Sequence, residues 1–413
     1  MSARAGASFA SLLLLASCAP VSPPEADTGT DASGIDAGAD AGAPRDAAMR
    51  DVGLDSGDAY AIDARAPGTL LVRTLGVQGF VLTYEGESVL TAPLFTRQSF
   101  LDVTVGAPIA ADEAAIASGM AGVDGASVRA VLSGHAHYDH LIDVPAILAH
   151  DAPSAVLYAN ETARHVLAAI ASDRDPGCAT PAPTAPLDRA RVIAVDDPLA
   201  SLVDYTHCPD LRPAGAPATG TWIDVPGSHV RLYPLCTTHP AQFGDVHFAP
   251  GSIDEDQCDL PEAASGWLEG RTIAYVIDFL DAGTGEIAYR VYFQDAPATQ
   301  PLGEIPPAIA SQRAVDVAIL CVGSNGGVES QPTDILANVS PRFVLSGHWE
   351  NFFLARDHAL EPIPLLDVDT YVMRAEAAVP GPPDVPMVVD GTPLEGRQWL
   401  VLPDAEIVIP PRP

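Results

Sequence analysis

The chain has 413 residues, 47 % of them hydrophobic and 18 % charged, with 54 acidic residues against 21 basic ones and a formal net charge of −33. Every basic residue is an arginine. Residues 68–413 alone hold 44 acidic and 17 basic residues, a charge of −27, and a body of that sign repels polyanions, which excludes enzymes that track RNA or DNA phosphates.

Residues 1–17 read as a targeting segment. Arg4 precedes the apolar run Phe9 to Ala16, which is too short for a stable membrane helix and has the form of a secretory signal. Leu15-Ala16-Ser17-Cys18 resembles the lipobox of bacterial lipoproteins, which implies cleavage before Cys18 and lipidation of that residue; Ala19 in place of Asp implies the outer membrane. The expectation is an exported chain on the periplasmic or cell-surface side, touching the membrane by its lipid anchor only. Residues 18–67 repeat Ala, Asp and Gly with almost no aromatic residues, so they cannot offset their own ordering entropy and read as a disordered, self-repelling linker.

Residues 68–413 suit one large α/β body. Thr69 to Leu75, Gly79 to Tyr84 and Ser88 to Ala92 read as consecutive strands with Gly76 and Gly86 at the turns. A further strand, Ser127 to Leu132, ends in Ser133-Gly134-His135-Ala136-His137-Tyr138-Asp139-His140, and a helix is expected from Leu141 to His150. Residues two apart on an extended backbone point the same way, so His135 and His137 can grip one ion. Asp139 and His140 fall where the chain turns into the helix and aim further on, where a second ion can sit. Mixed imidazole and carboxylate donors suit zinc first, with manganese and iron as competitors.

Asn160 is a plausible cap for a helix running to about Ile170. Residues 172–220, rich in Pro, Asp and Ala, read as an insertion, and a second insertion spans about 244–269. Both are candidates for the rim of a pocket. Arg231 to Cys236 is a strand that ends shortly before His239. Arg271 to Leu280 and Glu286 to Phe293 form an expected hairpin that ends before Asp295. Val315 to Val322 is apolar enough for a central strand, Pro332 to Asn338 reads as a helix, and Arg342 to Gly347 is a strand ending at His348. The Pro-rich tail from Pro380 is expected at an edge. Export permits disulfides; Cys178 with Cys208 and Cys236 with Cys258 would each close a loop-rich segment, leaving Cys321 as a buried free thiol.

His135-Ala136-His137-Tyr138-Asp139-His140 resembles the His-x-His-x-Asp-His signature of the metallo-β-lactamase superfamily. Trp349-Glu350-Asn351-Phe352-Phe353 resembles the branch containing ascorbate-6-phosphate lactonases and N-acyl-phosphatidylethanolamine phospholipase D. The resemblance runs from about Gly68 to about Phe353 and implies an αββα sandwich, here with two insertions. It also implies two divalent ions, with His135, His137 and His239 on the first, Asp139, His140 and His348 on the second, and Asp295 bridging both; His247 is a rival to His239, and Asp278 and Asp281 compete with Asp295. The implied chemistry is hydrolysis of a small ester, lactone or phosphodiester by a hydroxide shared between the ions, with Asp139 orienting the nucleophile. The alternative is a lipid-anchored surface binding protein whose metal site is structural and not catalytic.

Overall fold

The computed structural model describes residues 68–180, 185–242 and 246–413; the expected signal segment, Cys18 and the linker lie outside the described residues. In chain order the first sheet receives β1 (Leu70–Gly76), β2 (Gly79–Tyr84), β3 (Glu87–Thr91), β4 (Val128–Leu132), β5 (Val156–Ala159) and β6 (Val192–Ala194). The second receives β7 (Ile223–Asp224), β8 (Val230–Thr237), β9 (Thr272–Leu280), β10 (Ile287–Gln294), β11 (Val317–Cys321) and β12 (Phe343–Gly347). The tail adds β13 (Val388–Val389) and β14 (Thr392–Pro393) to the first sheet, β15 (Gln398–Leu400) to the second and β16 (Glu406–Ile409) to the first. The spatial orders are β14-β13-β16-β1-β2-β3-β4-β5-β6 and β15-β12-β11-β10-β9-β8-β7.

Alternation along the strands divides the apolar side chains among three cores. Leu70, Val72, Phe80, Leu82 and Leu132 from the first sheet meet Leu232, Tyr275, Ile277, Phe293, Ile319 and Leu345 from the second. The opposite faces are covered by helices. Val81, Leu90, Val131 and Leu157 pack beneath Ile116, Leu141, Val144 and Val166, while Val276, Tyr292, Leu320 and Val344 pack beneath Ile309, Ile335, Leu336 and Tyr371. Helix, sheet, sheet, helix is therefore the layer order, an αββα sandwich, because both faces of both sheets are apolar and each must be covered.

Two expectations are corrected and one is made specific. The stretch 141–150 is not one helix but short pieces, Tyr138–Leu141, Val144–Ala146 and a π-helical turn Ile147–Asp151. Pro145 has no N–H to continue the ladder, and the Asp143 carboxylate is drawn away to the backbone N–H groups of Phe95 and Thr96, 2.6 and 2.9 Å. The tail lies at an edge of each sheet, as expected, and forms strands there. Its strand β16 pairs with β1 while β15 pairs with β12, so it extends both sheets. The disulfide is Cys178–Cys258 and neither expected pair; it joins the two insertions to each other, while Cys208, Cys236 and Cys321 are free and buried. Sequence order favoured neighbours, but the fold lays the second insertion beside the first, with Arg174 donating to the Cys258 carbonyl.

Candidate metal centre

The His-rich loop leaves β4 at the edge where β8, β10 and β12 also end, and each of these strands delivers one more side chain. Asp295 follows β10 directly, His348 follows β12 directly, and His239 stands two residues beyond β8. Backbone hydrogen bonds fix the loop between the sheets: Ile273 N–H to the Gly134 carbonyl at 2.7 Å, Ala136 N–H to the Glu269 carbonyl at 2.9 Å, and Ser133 N–H to the Tyr158 carbonyl at 3.1 Å. Gly134 is required here, because a Cβ would lie 2.3 Å from the Asp295 Cβ. The gap lets the Gly134 N–H donate to Asp295 Oδ2 at 2.8 Å. His348 sits at φ +57, a left-handed conformation that a histidine adopts only when its surroundings impose it; its N–H donates to the Val77 carbonyl at 2.7 Å.

All seven residues expected from the sequence come together. Ligand atoms of His135, His137 and His239 form one group, those of Asp139, His140 and His348 another, and those of His135, His140 and Asp295 a third that joins them. Asp295 lies between the groups, with Oδ2 3.2 Å from His135 Nδ1 and Oδ1 2.9 Å from His140 Nδ1. His348 Nε2 is 3.2 Å from His140 Nε2 and 3.3 Å from Asp139 Oδ2, and His140 Nε2 is 3.4 Å from that same oxygen. A tetrahedral ion with bonds of about 2.0–2.1 Å holds its ligand atoms about 3.3–3.4 Å apart, so this triangle has the edge length a zinc-sized ion needs.

The polar bookkeeping points the same way. Both ring nitrogens of His135, Nδ1 of His140, Nδ1 of His348 and Oδ1 of Asp295 are buried without a hydrogen-bond partner. Buried polar atoms left unpaired are costly, and their concentration among these residues fits a site that a cation would complete. Burial, reinforced by neighbouring imidazoles, lowers His135, His137 and His239 to about 3, which keeps them neutral and ready to coordinate. Burial also opposes charge on His140, but the Asp295 and Asp139 carboxylates outweigh it and raise that residue to about 10. Burial works against ionised Asp139 and Asp295 too, yet His140 prevails and holds both well below the usual carboxylate range. His239 Nδ1 donates to the Pro240 carbonyl at 2.7 Å, which fixes the tautomer that leaves Nε2 available.

The rivals fall elsewhere. His247 stands one ring beyond His239, 6.0 Å between centroids, and pairs with Glu269 at 2.6 Å. Asp278 is committed to Arg290 and Arg231, and Asp281 caps the exposed hairpin turn.

Several residues around the centre carry no sequence signal. Gln78, fully buried in the turn between β1 and β2, donates to the Gln294 carbonyl at 3.0 Å, and Gln331 donates to Gln294 Oε1 at 3.0 Å, so the end of β10 before Asp295 is gripped from two sides. Phe248 packs edge-on to His137 and Phe352 edge-on to His348. Phe248 belongs to the second insertion, which thereby forms part of the rim.

No family model matches the chain, and no curated protein matches it. Solved structures do. A metallo hydrolase from the archaeon Ignicoccus hospitalis is 13 % identical, with 82 % of this chain and 98 % of that one covered and a TM-score of 0.43. The metallo-β-lactamase fold protein YhfI from Bacillus subtilis is 11 % identical, with 82 % and 99 % covered and a TM-score of 0.40. CmlA, a diiron β-hydroxylase from Streptomyces venezuelae, is 12 % identical, with 76 % and 51 % covered and a TM-score of 0.33. At such low TM-scores these likenesses carry no argument of their own. The αββα layers with the His-x-His-x-Asp-His loop at the end of β4 are the metallo-β-lactamase fold, and the chemistry must be argued from the side chains.

Proposed function

We propose that this chain is a metal-dependent hydrolase acting on a small ester, lactone or phosphodiester, exported and held at the outer membrane by lipid on Cys18. The observation that carries the reading is Asp295, which offers one oxygen toward His135 and the other toward His140, so that two groups of donors share one carboxylate. His135, His137 and His239 would hold one divalent ion and Asp139, His140 and His348 the other, zinc first, with manganese or iron as competitors. Ions so held supply a Lewis acid and a nucleophilic water at neutral pH.

The chain's own side chains do the rest. Asp139 is the more open of the two acids, its side chain 13 % exposed against 1 % for Asp295. Held ionised by His140 and His348, it accepts a hydrogen bond from a water entering from that side and so orients it. The Phe248 and Phe352 rings wall the histidines on either side and limit water around the donors, which strengthens every electrostatic contact there. The acidic body makes a small, uncharged or singly charged substrate a better fit than a polyanion.

The test is hydrolysis of an aryl phosphodiester, an acyl lactone, a simple ester and a β-lactam by the purified protein, before and after chelation. Turnover of one class that vanishes with the metal and returns with zinc or manganese supports the reading and names the bond. Silence on all four, with two ions bound per chain, counts for the binding-protein alternative.

A further inference from the structure

Cys178–Cys258 shows that the chain is built to fold where thiols are oxidised. Of the three remaining described cysteines, Cys321 stands apart at the end of β11, its thiol directed to the Gly323 carbonyl at 3.5 Å. Cys208 and Cys236 do not stand apart. The Cys208 thiol lies 3.0 Å from the Cys236 carbonyl oxygen, and each residue is only 2 % exposed within the core between the sheets. The backbones around them are already laced together: Cys236 N–H donates to the Asp204 carbonyl at 3.1 Å, Asp204 N–H to the Pro234 carbonyl at 3.0 Å, and Cys208 N–H to the Tyr205 carbonyl at 3.0 Å. Asp204 and Leu235 also form an isolated parallel bridge.

From this packing we propose that Cys208 and Cys236 form a second disulfide, which clamps the first insertion onto β8 three residues before His239. The side chains are also close enough for the two thiols to hydrogen-bond to one another, a contact that with burial pushes the Cys208 thiol well above its ordinary value. A lone buried cysteine packs as a small hydrophobe, but two buried thiols within hydrogen-bond reach of one another across a turn and a strand have little distance left to close to a covalent link. Since thiolates are suppressed and shielded once the core has closed, the bond forms on the folding chain. One cysteine thiolate attacks a small disulfide oxidant and releases one thiol. The other then attacks the mixed disulfide and releases the second thiol; the two protons lost by the cysteines leave on those thiols, and the oxidant's disulfide is the group reduced.

The bond would close a loop of sequence separation 28 inside the longer one of 80 closed by Cys178–Cys258. Its effect falls on the strand that carries His239. The Cys236 carbonyl already accepts from both the Cys208 thiol and the Gly303 N–H at 3.0 Å, so the end of β8 would be fixed covalently on one side and by hydrogen bonding on the other.

The experiment is a peptide map of the full chain purified from an oxidising compartment, denatured without reductant and alkylated. The expected result is two linked peptide pairs, Cys178 with Cys258 and Cys208 with Cys236, with Cys321 alkylated. Alkylation of both Cys208 and Cys236 beside an intact Cys178–Cys258 link overturns the proposal, as does a link from either of them to Cys178 or Cys258. A second arm uses the Cys178→Ser, Cys258→Ser variant, whose thermal midpoint is measured with and without a phosphine reductant. A fall on the order of 5 °C on reduction is expected, and no reductant-dependent shift counts against the bond.

Discussion

Asp295→Asn separates the metal reading from ordinary core packing. The amide keeps the volume of the side chain and one oxygen for the Gly134 N–H, now 2.8 Å from Oδ2, so the loop between the sheets keeps its anchor. It removes the negative charge and replaces one of the two oxygens that face His135 and His140 at 3.2 and 2.9 Å. In the chelated protein the amide leaves His140, whose charge Asp295 and Asp139 together sustain, with Asp139 alone, so folding stability should fall by up to about 3–5 kcal/mol, the scale of a broken buried pair. Metal binding should fall as well. Outer partners of a metal site already cost about 10–100-fold when removed, so losing a shared donor should cut turnover at least about 100-fold and lower the metal content below two per chain. The assay pairs elemental analysis of the purified variant with turnover of the substrate class found active and with the chelated thermal midpoint. An Asn variant that keeps two ions and turns over within about threefold of the parent would falsify the shared-carboxylate reading.

Three further outcomes follow from the same physical picture. Chelation should lower the thermal midpoint, since an ion present at 100 times its Kd contributes about 2.7 kcal/mol per site; calorimetry showing metal loss with an unmoved midpoint would count against a preformed centre. Asp278→Ala should cost about 3–5 kcal/mol by urea unfolding, because it strands the fully buried Arg290, whose Nε and Nη2 lie 2.7 and 2.8 Å from the Asp278 oxygens; a loss below about 1 kcal/mol would contradict that account. Asp196 gives the pH dependence. Burial raises it to about 7 from an ordinary 3.8, against the opposing pull of the Glu161 N–H at 2.7 Å and of Arg271. With the folded value above the unfolded one, its stability contribution is full below about pH 4 and is lost as pH rises through 7. Asp196→Asn should flatten that slope by on the order of 4 kcal/mol at most, and a slope unchanged in the variant would assign the pH response to other groups.

The candidate donors were legible because the His-x-His-x-Asp-His loop resembles a known signature, and that resemblance directs attention to strand ends. Residues 231–236, 288–294 and 342–347 read as strands that stop just before His239, Asp295 and His348, which made those three the residues to propose. The Asn160 cap was legible for a local reason, its side chain accepting the Ala163 N–H at 2.8 Å. What escaped the sequence is what distant segments decide. The Pro145 break was written in the chain, but the pull of Phe95 and Thr96 on Asp143 was not. Gln78 sits in a turn between two glycines and reads as solvent-facing; it is fully buried because the fold brings Gln294, more than two hundred residues away, against it. The disulfide follows the same rule. Four cysteines allow three pairings, and only the laying of residues 246–269 beside 172–180 selects Cys178 with Cys258.

The tail carries that reasoning furthest. Residues 380–413 are rich in proline, which cannot donate within a ladder and so reads as edge or loop. Yet Glu406–Ile409 supplies Ile407 and Ile409 to the core between the sheets, while Gln398–Leu400 runs beside β12 and Val401 accepts the Trp349 indole N–H. Trp349 directly follows His348. The strand Gln398–Leu400 therefore covers the open edge of the sheet that delivers His348, and Val401 holds the residue next to it, which makes the tail part of the support of the candidate centre although no motif in it says so. Short strands interrupted by prolines can do this because they are added in steps, β16 on β1, β13 on β16 and β15 on β12, each drawing its register from the strand beside it.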